Sequence, residues 1–446
     1  MKIYHFANSF ISAEEGETLL TCDPWIGTTS DNGWYTYPIK KANEIPLKIF
    51  KSNFVYISHL HCDHLDFKTL SKFKNKNLTF VIKKFKNGVL KRRLQRFSNR
   101  IIEIEPWKKT KINKDFSVAI IPQIISNSSD LPDNIEYDLD TSIVIQSNKN
   151  KSVFYNNVDM PMNINVLKKI KNFIHSKFKK NIDVFCYALG AASEFPQCFL
   201  NVNRKHEKNR IIKKSLDEIN SYLRLLKPRI FFPAGGTYSI YGKFYNLNKY
   251  IAQPSFEEIE KSTFKLKSKV LNLIGGGHVS VDKNKHYHYS KSEVLNRSFN
   301  NDFINKIKNI NYYYKDKKQP NYNLNQLDKN FSKAKKNYFR IVEKNKKIDT
   351  YWNINFNIYK KYAINSNCKI DKKKSSFLKT YKLKNYSKNK NKIDKLDCYI
   401  EYQLFNSLIK GKFPWNTSLS GSTIMYKRKP NKFNVDMMFS LNFLRA

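Results

Sequence analysis

The strongest constraint on this chain is the run His59-Leu60-His61-Cys62-Asp63-His64, which follows directly on the short apolar segment Phe54-Val55-Tyr56-Ile57-Ser58. An apolar run of that length reads as a buried strand, and loops at strand ends are where chemistry is usually placed. In an extended exit from a strand, side chains two apart project the same way, so His59 and His61 are spaced to grip one metal ion. Asp63 and His64 follow as further ligand types, and Asp63 is also the expected catalytic carboxylate, placed to orient or deprotonate water. Four ligand-type residues in six positions, in a chain with nine histidines, set this segment apart. The bland reading, a polar loop whose histidines are satisfied by backbone, explains the spacing less well.

The rest of the chain frames that loop. Between Lys2 and Asp23 apolar and polar residues alternate around Glu14-Glu15-Gly16-Glu17, which predicts two or three antiparallel strands. Short strands are expected at 78–82, 101–104, 116–121, 142–146, 152–156, 183–189, 229–232 and 270–274. Helical patterns are interleaved at 66–73, 164–178 and 205–226. This alternation predicts an α/β domain over residues 1–290, with two sheets and helices outside. Residues 291–446 are rich in Lys, Asn and Tyr and are expected to form a smaller, basic α+β region with flexible connections. At 446 residues two domains fit comfortably.

Lys and Arg total 81 against 37 Asp and Glu, a formal net charge of +44. Such a field draws anionic partners, although lysine accompanied everywhere by Asn, Ile and Tyr is also what a biased codon supply produces. Six scattered cysteines form neither a disulfide framework nor a C-x-x-C zinc module, and no apolar run approaches the ~20 residues of a membrane span. A reducing, cytoplasmic setting is expected. Gly275-Gly276-Gly277-His278 lacks the Lys-Ser/Thr ending of a P-loop and reads as a turn. Gly190-Ala191-Ala192-Ser193 lacks the G-x-S-x-G pattern of a nucleophile elbow.

The histidine motif in this setting resembles the metallo-β-lactamase fold superfamily, which implies an αββα sandwich with metal at one sheet edge. Cys22-Asp23-Pro24-Trp25, Gly33-Trp34, Asp140-Thr141, Asn157-Val158-Asp159, Gly190 to Pro196 and Lys227 to Pro233 narrow the resemblance to the CMP-N-acetylneuraminate hydroxylase family. That resemblance implies His59, His61 and Asp159 as ligands, with Asp63 and His64 completing the set. Glu136 stands at the place of the superfamily's third histidine and is expected there as a carboxylate replacement ligand to the metal. The final histidine is replaced by Ala234-Gly235-Gly236, with His278 a weak substitute. Ser193, Arg229 and Tyr238 are the expected substrate-side residues. One divalent ion, iron or zinc, is favoured, with a second position open.

The hydroxylase family carries a Rieske domain, which needs a C-x-H and a C-x-x-H segment. The chain's single C-x-H lies inside the metal motif, and none of its cysteines has His three positions later. Electrons for a hydroxylation are therefore expected from a separate electron-transfer protein. The favoured function is a metalloenzyme acting on a nucleotide-linked or other anionic sugar. The alternatives are a metal-dependent hydrolase of an ester or phosphodiester, nucleic acid included but not favoured, and a degenerate binder without turnover.

Overall fold

The structure is a computed structural model that describes residues 1–29, 33–38, 41–124, 140–282, 284, 286–292, 301–312, 314, 322–344, 352–384, 394–415 and 421–446. Two sheets stack face to face. The first has eight strands in the spatial order Tyr287–Ser290, Gly277–Val281, Lys2–Ala7, Phe10–Glu15, Thr18–Cys22, Phe54–Tyr56, Thr79–Lys83 and Ile101–Ile104. The second has seven, in the order Lys269–Val270, Ile230–Pro233, Val184–Tyr187, Val153–Asn157, Thr141–Ser147, Phe116–Pro122 and Thr110–Lys111.

Period-two alternation assigns each side chain to a layer. Ile3, Ile11, Leu20, Cys22 and Tyr56 of the first sheet meet Val118, Ile120, Ile143, Phe154, Val184 and Phe232 of the second in one buried core. The opposite parity of the second sheet, Ala119, Ile121, Val144, Tyr155, Phe185 and Phe231, packs under two helices. Helix Ile164–Phe178 buries Val166, Leu167, Ile170, Ile174 and Phe178, the three-and-four spacing of one helical face. Asn163 caps its start, and Lys179, in the left-handed region, ends it. Helix Arg204–Leu226 repeats the device, with Asn203 as cap and Lys227 as left-handed terminus. With both faces covered, the central strands read as continuous apolar runs. The shorter helices Phe67–Leu70 and Val89–Leu94 lie over the outer face of the first sheet. This is the αββα sandwich of the metallo-β-lactamase fold.

The expected strand at 270–274 is shorter, Lys269–Val270. The glycines that follow close a turn: the Gly275 and Gly276 amides donate to the carbonyls of Phe6 and His5 at 3.0 and 2.8 Å, which leaves neither for a phosphate.

The C-terminal region forms a four-stranded sheet in the order Ser376–Leu383, Trp352–Lys361, Asp394–Glu401 and Met425–Lys429, with helix Leu324–Lys344 and helix Tyr402–Ile409 packed on it. Its core, around Trp352, Phe356, Phe405 and Trp415, runs without interruption into Trp25, Trp34, Phe199, Tyr238 and Phe244 of the sandwich side. The C-terminal region and the sandwich are thus joined through a shared aromatic core. No helix among the described residues is long and apolar enough to cross a membrane.

Candidate metal centre

Strand direction gathers the ligands. Phe54–Tyr56 runs parallel to Thr18–Cys22 and Thr79–Lys83, and its carboxyl end delivers Ser58, His59 and the rest of the motif to one edge of the sandwich. On the facing sheet, the antiparallel register that pairs Ile143 with Asn156 carries Asp140 and Asp159 off the same end. Thr141 fastens the sheets together there, its hydroxyl donating to the Ser58 carbonyl at 2.8 Å and lying 2.6 Å from the Tyr56 hydroxyl.

The result is a compact donor set: ligand atoms of His59, His61, Asp140 and Asp159 all lie within 4.8 Å of one another. His59 Nε2 is 2.7 Å from His61 Nδ1, 3.2 Å from an Asp140 oxygen and 3.7 Å from an Asp159 oxygen. His59 is fully buried, and burial, reinforced by neighbouring His64 and His61, holds its pKa well below the ordinary histidine value. It is therefore a neutral imidazole, the form that binds metal. His64 behaves oppositely. Burial lowers its pKa, but the charges of Asp63 and Asp23, with hydrogen bonds to Asp159 and Asp23, overcome that and hold it well above the usual range. Its Nε2 faces Asp159 at 3.5 Å and Asp63 at 3.7 Å, so Asp159 stands between two groups of donors. Burial also raises the Asp63 carboxyl, against the pull of His64 and His61.

Asp23 organises this arrangement from beneath. It is fully buried, accepts from the Ser58 amide at 2.8 Å and the Ser58 hydroxyl at 2.7 Å, and lies 3.0 Å from His64 Nδ1. The Ser58 hydroxyl also lies 2.9 Å from His59 Nδ1. Carboxylate and hydroxyl thereby fix the outer nitrogens of two histidines and aim their inner nitrogens at the cluster. Two imidazoles and two carboxylates at this separation suit a divalent transition metal, so the residues fit the ion that the fold implies.

The other expected site residues fall elsewhere. Glu136 lies outside the described residues; Asp140 is the carboxylate that joins the two histidines. Asp140 directly precedes the fully buried strand Thr141–Ser147. At the position expected to have lost its histidine, a Cβ on Gly235, whose φ is +90°, would come within 2.0 Å of the Val158 carbonyl oxygen, so the backbone itself closes over that corner. His278 cannot substitute: it pairs with Tyr4 and lies against its ring at 5.5 Å, among side chains of the first sheet's outer face. Arg229 precedes strand Ile230–Pro233, at the end opposite the cluster, and stacks over Tyr287. Tyr238 is buried under Trp34, with ring centroids 3.8 Å apart, and its hydroxyl donates to the Ser193 carbonyl at 3.1 Å. Ser193 and Tyr238 therefore belong to the joint with the C-terminal region.

A histidine and aspartate cluster at one edge of an αββα sandwich defines the metallo-β-lactamase class, and residues 20–157 match the model of the β-lactamase superfamily domain. Over those residues the chain is similar to that superfamily's domain. Within the class it resembles cytidine monophosphate-N-acetylneuraminic acid hydroxylases. The Asterias rubens protein is 32% identical over 78 residues, covering 17% of this chain and 12% of that protein. The Xenopus laevis protein is 22% identical over 256 residues, covering 53% of this chain and 38% of that protein. The similarity thus spans well under half the length of these relatives. Among solved structures, Igni18, a metallo hydrolase from Ignicoccus hospitalis, aligns with a TM-score of 0.41 at 17% identity, covering 66% of this chain and 99% of that one.

Proposed function

We propose that this protein is a metal-dependent enzyme acting on a nucleotide-linked or otherwise anionic sugar, with His59, His61, Asp140 and Asp159 holding the ion. The observation that carries the metal assignment is the convergence of those four donors within 4.8 Å. The substrate class rests on the similarity to the sialic acid hydroxylases and on the net charge of +44.

A divalent ion held there supplies Lewis acidity, and iron in addition supplies redox chemistry. The chain's own groups divide the remaining work. His59 stays neutral and offers a nitrogen lone pair. Asp23 and Ser58 fix ring orientation before any ligand arrives, so little reorganisation accompanies binding. Asp63, at the cluster's edge beside His64, is positioned to hold or accept a proton from water or substrate.

Within these 446 residues no C-x-H and C-x-x-H pair is present to hold a Rieske cluster, so hydroxylation would draw its electrons from outside them. The test supplies the iron-loaded full chain with dioxygen and a CMP-linked nonulosonic acid, with and without a ferredoxin and its reductase. A product one oxygen heavier, formed only when the donor system is present, is the expected result. Cleavage of the substrate by metal-loaded protein without any donor would assign a hydrolase instead, and no reaction in either arm would overturn the proposal.

A further inference from the structure

Beside the metal loop lies a second feature that the metal cluster does not use. A cavity of about 450 Å³ is bounded by Leu60, Cys62 and Leu65 of the loop, Asp66, Phe67 and Lys68 of the helix after it, Arg93 of the next helix, and Gly411 to Pro414 with Arg445 of the C-terminal region. Leu60 and Cys62 alternate in sequence with His59, His61 and Asp63, so the cavity shares its wall with the candidate ligands.

Its chemistry is one-sided. Four cationic side chains line it, Lys68, Arg93, Lys412 and Arg445. The single carboxylate among the lining residues, Asp66, is engaged by the Thr69 amide at 3.1 Å and the Thr69 hydroxyl at 2.6 Å. A biased supply of lysine does not explain this, because arginine is scarce in the chain, 12 residues against 69 lysines, and two arginines converge here. A third, Arg96, stands beside the cavity with its guanidinium 5.8 Å from the Phe67 ring centroid. Arginine forks suit phosphate oxygens, and the half-buried ring of Phe413 offers a face for a planar base.

The far wall is held in place. The Trp415 indole donates to the Leu444 carbonyl at 3.1 Å, the Asn337 amide to the Arg445 carbonyl at 2.9 Å, and the Ala446 amide to the Ile409 carbonyl at 2.8 Å. Arg445 is thus presented by packed structure on the side opposite the loop. The size falls in the range of pockets for small ligands, not of a track along a polymer.

We propose that this cavity is a phosphate-binding subsite for a nucleotide, built jointly by the metal loop and the C-terminal region, with Arg93, Lys412 and Arg445 as its anion-recognising side chains. It deepens the reading of a nucleotide-linked substrate and rests on it only for the phosphate's place next to the reacting centre.

The test is equilibrium binding of CMP, cytidine and inorganic phosphate to the full chain and to an R93Q/K412Q/R445Q variant, with far-UV circular dichroism and metal content measured on both. CMP is expected to bind the native chain at least about tenfold more tightly than cytidine, and the variant to lose about tenfold or more in CMP affinity with fold and metal unchanged. Equal affinities for CMP and cytidine, or a variant that binds CMP as well as the native chain, would overturn the proposal. So would a single-stranded oligonucleotide that outcompetes CMP with a steep salt dependence, which would make the patch a polymer track. CMP binding that is lost in the variant, in a protein that turns over no nucleotide sugar, would uphold the subsite while defeating the proposed reaction.

Discussion

The metal end of the sandwich and the joint around Ser193 and Tyr238 are both rich in buried polar groups, yet those groups are spent differently. In the joint they tie packed elements together. Gln197 donates to the Ser193 carbonyl and to the Tyr238 hydroxyl, the Trp34 indole reaches Ser422 at 3.3 Å, and the Arg428 guanidinium lies over the rings of Phe195 and Phe199 at 4.9 and 4.4 Å. At the metal end, ligand atoms of His59, His61, Asp140 and Asp159 converge within 4.8 Å of one another. Buried polar residues therefore mark a candidate site when several metal-ligating types converge on one point, and a structural joint when they bond across packed elements.

Three substitutions sharpen this contrast. The largest effect on stability is expected in the joint: Trp34→Ala removes a buried indole stacked on Tyr238 and should cost about 3–5 kcal/mol by chemical denaturation. Metal content at low temperature should stay unchanged. Next, Asp23→Asn should leave the fold intact, because asparagine tolerates the left-handed backbone found there, with φ of +41°. It removes the charge behind His64 and Ser58, and metal affinity measured by chelator competition should fall about 10–100-fold. The smallest effect belongs to Arg229→Ala, which lies at the far end of its strand and should change metal affinity and turnover by less than about twofold, within the range of ordinary surface substitutions.

The fold was legible because its signals are local. Short apolar runs bounded by turn residues mark the central strands, and capped helices such as Ile164–Phe178 appear at the residues where their period predicts them. The histidine motif was legible for the same reason, since its residues are contiguous. Asp140 and Asp23 were harder to assign because their roles exist only once two sheets meet: Asp140 gains its partners through the pairing of Ile143 with Asn156, and Asp23 through the exit of the neighbouring strand. The same limit explains Ser193 and Tyr238. The C-terminal sheet that packs against them begins only at Trp352, far along the chain, and nothing local announces that contact.

The most direct test of the account is metal content in the full chain and in His59→Ala/His61→Ala. Protein loaded separately with zinc or ferrous iron and then desalted should retain about one ion per chain or more. The double variant should retain less than about a tenth of that with an unchanged far-UV circular dichroism spectrum, because both histidines sit on a loop outside the apolar core. Undiminished metal in a folded double variant would place the ion elsewhere and contradict the central claim.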